Sequence, residues 1–498
     1  MNILDNVISA FSPSAALKRA QARRVLALYE AAEPSRLRKT KPDNRSGDAL
    51  TARAGNRIRG YARNQEQNYD FAEAVLGALV DNVVGPDGIS IEPLPKDKDG
   101  NLLEELANQI SDLRKDWMKK PEVTWEHTWP AAERLIARAW FRDGECLLQH
   151  VEGLSPSINH GTRIPYSVEM IEADLLPFNL DDKNKGITQG VERNAWGRPT
   201  AYHVYKEHPG DVNYLTLSLQ TKRVPAEKML HPKIVKRFKQ ARGVSVFASM
   251  MTRIEDIKDY EESERVAARI AAAMCAYIQK GTPDDYEKSD DDGNRDFKVK
   301  PGTIFDNLGP GETVGTIDSN RPSALLEPFR DAMVRMAVSS VRAVTFSGVA
   351  KKYDGTYSAQ RQELVEGYIS NKSLSNLFAS QVSIPVYERM LAMAVLSGQI
   401  KLPRELDMAT LYDVDARGPV MPWIDPEKEE KALERAERAG HKSAQQSIRE
   451  RGGNPKQVMA EIETWRKQAD EKGLVFSTDP KYDKSVPDLI FEDVGNNN

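Results

Sequence analysis

The sequence is short of the residues that most often carry chemistry. Its 498 residues include two cysteines, Cys146 and Cys275. Two are too few for a disulfide framework or a thiolate zinc site, and a reducing intracellular environment is the expectation. Seven histidines are present (His127, His150, His160, His203, His208, His231, His441), with no metal-ligand spacing among them. Glu126-His127 lacks the second histidine of an H-E-x-x-H site. Neither a G-x-x-x-x-G-K-[ST] loop nor a G-x-S-x-G elbow occurs, which removes the P-loop phosphate cradle and the hydrolase elbow. No run reaches the eighteen apolar residues of a membrane span. The opening MNILDNVISAFSPSAALKRA has no positive n-region and no clean cleavage site, so no secretory signal is expected.

Two stretches imitate motifs and fail on spacing. Leu308-Gly-Pro-Gly-Glu312 has no helix cap or lysine after it and reads as a turn between strands. Ser289 to Asn294 (SDDDGN) lacks the alternating ligands and the glutamate at position twelve of a calcium loop, and reads as a solvated acidic tip. No catalytic residue, metal ligand or cofactor is assigned. The seven tryptophans do not interleave with basic residues as a strand-stacking platform would, and read as core and interface anchors.

Charge and helical periodicity are what the chain does have. Net charge is −4, unevenly spread. Through Arg63 there are thirteen Lys/Arg against five acids, a basic arm suited to nucleic acid or an acidic surface. Between Pro283 and Asp296 the balance reverses, with Asp284, Asp285, Glu287, Asp290, Asp291 and Asp292 close together. Three- and four-residue spacing predicts helices over 14–31, 49–84, 102–119, 128–143, 358–397 (interrupted before Pro385), 426–438 and 454–472. Strands are expected at 89–93, 145–151 and 166–171, and in a small antiparallel region spanning 186–219. The fold class is therefore α+β, mainly helical.

The stretch from Arg242 to Arg361 organises the rest. Helical spacing over 248–280 places Ile254, Ile257, Tyr260, Ala267, Ala271, Met274 and Ile278 on one stripe. A second stripe over 323–344 carries Leu326, Phe329, Met333, Met336, Ala337, Val341 and Val344. Between them lies the acidic, turn-rich excursion; after them comes a Gly/Lys loop, FSGVAKKYDG. Periodicity admits both a helical hairpin in a monomer core and rods packed against copies of themselves.

An ordered set of segments resembles the lambda-type portal proteins of tailed bacteriophages: ERLIARAWFRDGECLLQ (133–149), IEADLL (171–176), GITQGVERNAWGRPTAYHVY (186–205) and VPAEKMLHPKIVKRFKQARGVSVFA (224–248). IEDIKDYEESERVAARIAAAMCAYIQ, PGTIFDNLGPGETV, RPSALLEPFRDAMVRMA, TYSAQRQELVEGY and PWIDPEKEEKALERAERAGHKSAQQSIRERGGNPKQV continue it. The family's nYSSaR segment stands here as Thr356 to Arg361 (TYSAQR), without the asparagine and the second serine.

The resemblance implies a portal fold, assembled into a ring of about twelve subunits around a central channel at one capsid vertex. Terminase packages double-stranded DNA through the ring without sequence specificity, the tail attaches there, and DNA is ejected through it. The implied regions are a basic arm (1–48), wing (49–247), stem helix (248–280), clip (281–322), second stem helix (323–345), channel loop (346–357), long wing helix and connection (358–420), crown helices (421–475) and a disordered tail (476–498). Ser347, Gly348, Val349, Ala350, Lys351, Lys352 and Tyr353 would face DNA, the two lysines giving about twenty-four positive charges per ring. The acids Asp284, Asp285, Glu287, Asp290, Asp291 and Asp292 would dock the terminase large subunit and later the head–tail adaptor. Major capsid and scaffold proteins complete the implied partners, with no membrane and no cofactor, in a virion assembled in the host cytoplasm. The other readings are a packaging-associated nuclease or ATPase, or a monomeric DNA-binding protein.

Overall fold

A computed structural model describes residues 12–15, 18, 43–154, 158–211, 220–272, 276–279, 313–316, 326–420 and 425–475. Helix α1 (Gly47–Asn68) starts at Ser46, whose hydroxyl accepts the Ala49 N–H. The expected single helix over 49–84 is in fact two. Tyr69 is extended (φ −127°, ψ 114°), and α2 (Asp70–Val83) begins anew. The reason is a change of environment: α1 buries Thr51, Arg59 and Gln65 against polar partners, whereas α2 buries Val75, Leu76, Leu79, Val80 and Val83 in the core. One straight helix would not aim both faces correctly.

After the Gly85–Gly88 stop, β1 (Ser90–Pro93) leads to α3 (Glu104–Trp117) and α4 (Trp129–Asp143). Gly144 ends α4 at φ 84°, the left-handed stop its position in the sequence predicts. Strands β2 (Leu147–Glu152) and β3 (Tyr166–Ile171) pair antiparallel from Leu147↔Ile171 to Glu152↔Tyr166. The meander β4 (Ile187–Thr188), β5 (Val191–Arg193), β6 (Pro199–Tyr205) and β7 (Thr221–Pro225) forms a separate four-stranded sheet. The last strand of that region was expected at VNYLTLSLQ, of which 212–219 lie outside the described residues; β7 supplies the pairing to β6. Strand β8 (Met229–Leu230) adds to β2.

Helix α5 (Met251–Ala272) is shorter than the 248–280 its periodicity suggested. Ala276–Gln279 is instead a strand, β9, paired with β10 (Thr313–Thr316) from Ala276↔Thr316 to Gln279↔Thr313. The cross-strand partner, and not the helical pattern, decides the state of this segment. Helix α6 (Leu326–Val338) likewise stops before the expected Val344. The Ser339 and Ser340 hydroxyls donate to the Met336 and Ala337 carbonyls at 2.9 and 2.8 Å, and Ala343 turns left-handed at φ 65°. The sequence places Phe346 to Ala350 in a loop; they form a short helix, α7 (Phe346–Ala350), capped by the Thr345 hydroxyl.

Helix α8 (Tyr357–Phe378) runs through a five-residue π-turn, Ala379–Ser383, into α9 (Ile384–Leu396). The widened turn absorbs the ring and missing N–H of Pro385. An unexpected strand, β11 (Val414–Arg417), returns to pair with β1. Helix α10 (Pro426–Arg438) begins as predicted, with Asp425 accepting the Lys428 N–H. Helix α11 (Ala444–Glu450), which periodicity did not reveal, precedes α12 (Pro455–Glu471), capped by Asn454.

The main core gathers α2, α4, β2, β3, α8 and α9 around Leu76, Trp129, Trp140, Phe141, Tyr166, Phe378 and Leu391. Trp117, Trp129 and Trp140 are core anchors as expected, whereas Trp125, Trp196 and Trp465 are exposed.

Candidate functional site

The stretch that opens at Arg242 is fixed by a buried ion cluster. Arg242 is fully buried, its Nε and Nη2 at 2.8 and 2.5 Å from Glu145 Oε1, its guanidinium 3.8 Å from the centre of the Phe178 ring. Its remaining N–H groups donate to the Gln189 and Ala173 carbonyls. The second Glu145 oxygen accepts from the Gly243 N–H at 2.7 Å and meets His231 Nε2 at 3.0 Å. Burial pushes the Glu145 carboxyl up, but Arg242 and His231 outweigh it and hold it well below the usual range. Burial also lowers His231 to about 4, against the bond to Glu145. Both oxygens of the carboxylate are occupied. The cluster is a clamp, not a catalyst.

After that clamp, α5 and α6 run as an antiparallel pair. At the base, the Ser249 and Ser340 hydroxyls are 3.3 Å apart; midway, Arg330 Nε meets Glu261 at 2.5 Å and the Tyr260 and Phe329 rings lie 4.9 Å apart. Between α5 and α6 in chain order, β9 and β10 pair antiparallel. The apolar seam is Ile257 against Val334 and Val338. On the α6 stripe read from sequence, Ala337 is buried, while Phe329 and Met336 are 47% and 58% exposed. The hairpin's outer surface therefore carries apolar side chains of its own.

Beside α6 sits the Gly/Lys segment. Val349 on α7 is buried, and Phe346 lies under Arg335, 4.5 Å from ring centre to guanidinium. Ser347 donates its hydroxyl to Glu363 Oε2 at 2.6 Å and its N–H to Oε1 at 3.2 Å. An added Cβ at Gly348 would lie 2.8 Å from the Thr345 hydroxyl and would displace that cap. Lys351 takes the left-handed conformation (φ 52°) that ends the helix, and its exposed side chain has no ion-pair partner among the described residues. Lys352 is different. Its Nζ lies 2.6 Å from Asp331, 2.7 Å from Glu327 and 3.7 Å from Asp354. Hydrogen bonds to Asp331 and then Glu327 raise its pKa further above the normal lysine range. Tyr353 is exposed at the segment's end.

Residues 33–370 match the family described as phage portal protein, lambda family. The chain belongs to that family. A "probable portal protein" of the Halomonas phage phiHAP-1 is 24% identical over 421 residues, covering 81% of this chain and 79% of that one. Among solved structures, the neck of a native GTA particle computed with C12 symmetry aligns over 82% of this chain and 94% of that chain, at 12% identity and TM-score 0.44. A virion of a native gene transfer agent particle aligns over 87% and 99%, at 12% identity and TM-score 0.40. This is a portal protein of a phage or phage-like particle, a structural component and not an enzyme.

In this portal protein the structure brings Ser347 to Tyr353 together on one short helix and its C-terminal turn. The acids Asp284, Asp285, Glu287, Asp290, Asp291 and Asp292 lie outside the described residues. Sequence reasoning missed Glu327 and Asp331, the acids that hold Lys352. Their signal was available: like charges four apart on a helix repel, and a pair of them calls for an external cation. It also missed a grouping of Glu172, Asp174 and His208, whose ligand-type atoms lie within 4.8 Å. Arg63 already occupies the cation position there, 2.5 Å from Asp174 and 3.8 Å from Glu172.

Proposed function

We propose that the chain is the repeating subunit of a ring of about twelve copies at one capsid vertex. Through this ring terminase would package double-stranded DNA, and through it the DNA would later leave; the tail would attach on the outer side. In this reading α5 and α6 are the stem, 281–322 is the clip, 346–357 lines the narrow part of the channel, and α10 to α12 form the crown. The acidic clip residues would dock a basic surface of terminase and then of the head–tail adaptor. The basic arm would meet scaffold, coat or DNA.

One observation carries the reading furthest: the antiparallel α5–α6 hairpin, closed at its base by Ser249–Ser340 and joined midway by Arg330–Glu261. At 1.5 Å per residue the 22 residues of α5 make a rod about 33 Å long. A chain without catalytic motifs builds such a rod to line or bridge something.

The local charges suit a wall along which a polyanion slides. Tight phosphate binding would stall it, since each ion pair made with DNA adds salt-dependent affinity. A net charge of −4 per chain becomes about −48 over about twelve copies. Because Glu327 and Asp331 hold Lys352, Lys351 is the ammonium of this segment left unpaired among the described residues, and the ring would carry about twelve such charges rather than about twenty-four. Capsids assembled with the chain should package DNA when given terminase and ATP, and capsids without it should not. Equal packaging by both would overturn the proposal.

A further inference from the structure

Two features stand on separate parts of the surface. The first is a tip made by two tight loops. Trp196, in the β5–β6 turn, is 86% exposed, and Phe238, in the 235–239 loop, is fully exposed. Around them stand Arg198, Lys236, Arg237 and Lys239, none of which forms an ion pair among the described residues.

These loops are held firmly. Asn194 Oδ1 accepts the Trp196 and Arg198 N–H groups at 3.0 and 2.9 Å. Arg193 ties the loops together, donating to the Lys239 carbonyl at 2.8 Å while its other nitrogen pairs with Asp48. Buried Gln240 braces the second loop through the Lys236 N–H and the Arg242 carbonyl, and Lys239 is held left-handed at φ 57°. Presenting two large aromatics to water on a fixed frame is costly unless something covers them.

The second feature is a cavity of about 430 Å³ between α4 and the β2–β3 sheet. Leu135, Ile136, Ala139, Cys146, Met170 and Ile171 supply its apolar lining, and Leu135 is 46% exposed. Glu126, Glu169 and Glu172 stand in the same lining, and Glu126 and Glu169 form no ion pair among the described residues. The lining arginines are already taken, Arg138 by Glu66 and Glu73, Arg142 by Glu66 and Asp143. The cavity is therefore apolar within and acidic in its free charges.

Tip and cavity are complementary in both respects: aromatic anchors for an apolar pocket, cations for carboxylates. Helix α1 keeps them apart within one chain. A Cβ on Gly47, at its start, would lie 3.4 Å from Arg237 Cβ in the tip. Arg63, sixteen residues on, pairs with Asp143 in the cavity wall at 2.8 Å. Sixteen residues of helix span about 24 Å, and the braced loops cannot cross that distance. We infer that the Trp196/Phe238 tip of one copy docks into the Leu135/Met170 cavity of a second copy. One patch meeting a different patch is a head-to-tail contact, the kind that closes a ring. This rests on the ring reading above and assigns that ring a specific interface.

Charge reversal tests it. Lys236→Glu with Lys239→Glu reverses the tip, and Glu126→Lys with Glu169→Lys reverses the cavity. Measured by mass photometry and negative-stain imaging, each reversed protein alone should lose rings at least tenfold. Mixed together they should regain rings, because each reversed patch finds its reversed counterpart and each native patch its native one. Trp196→Ala, a change at an exposed side chain that spares the fold, should also lower ring yield. Rings from either reversed protein at wild-type yield, or from the Trp196→Ala protein, would overturn the interface while leaving the ring reading standing. Variants that keep their rings but lose DNA or capsid binding would assign the tip to that partner instead. Absence of rings from the wild-type chain would remove the ring reading itself.

Discussion

Single residues decide how firmly the hairpin is seated. Gly144 ends α4 at φ 84° and touches the backbone of the Arg242 segment, where an added Cβ would lie 2.2 Å from the Val244 carbonyl carbon. Gly144→Ala should therefore cost about 3 kcal/mol or more, through backbone strain and a clash that no side chain can relieve. Urea unfolding measures this; a loss under about 1 kcal/mol would contradict the close approach. His150 gives the chain a pH dependence. Its Nδ1 is 2.8 Å from the Tyr166 hydroxyl, and burial, helped by Arg389, lowers its pKa from 6.5 to about 4. The unfolded chain takes up this proton at a higher pH than the folded one. Stability is then fully present above about 6.5 and falls as pH drops toward about 4, by about 3 kcal/mol at most from this group. His231 works in the same direction. Thermal melts from pH 7 to 4.5 should show the decline, and His150→Gln should make it shallower; an unchanged slope would exclude His150 as its source.

At the scale of elements, the α6–α7 contact has a prediction of its own. Removing the Lys352 charge leaves Glu327 and Asp331 facing each other four residues apart on α6. Lys352→Ala should lower the melting temperature, and adding Glu327→Gln and Asp331→Asn should recover most of the loss. If the triple variant melts no higher than Lys352→Ala, the ammonium is not there to offset those acids. The same elements show what the sequence could and could not disclose. Helices whose ends are written in local chemistry were legible: Gly144 after α4, Asp425-Pro426 before α10, Asn454 before α12. The interruption before Pro385 was legible too, because proline announces it. What failed were ends set by distant partners. Ala276–Gln279 continues a helical pattern yet pairs as a strand with Thr313–Thr316, and Val414–Arg417 is a strand only because β1 lies alongside. For the candidate site, the sequence located the Gly/Lys segment but read its two lysines as equivalent. Only the packing of α7 on α6 separates the paired Lys352 from the free Lys351.

At the scale of the molecule, several apolar side chains find no cover within one chain. On α8, Ile369 is 69% exposed and Tyr357 48%; on the hairpin, Met336 is 58% exposed. Exposed apolar groups in such numbers along rods mark surfaces that meet another surface. In the proposed ring, further copies of the chain would cover them, with the α5–α6 hairpins side by side around a channel. Imaging the purified full-length chain by negative stain puts this claim to its most direct test. Rings of about twelve subunits, each with a central hole, are the expected result. A field of single particles without a hole, at concentrations where related rings would persist, would contradict it.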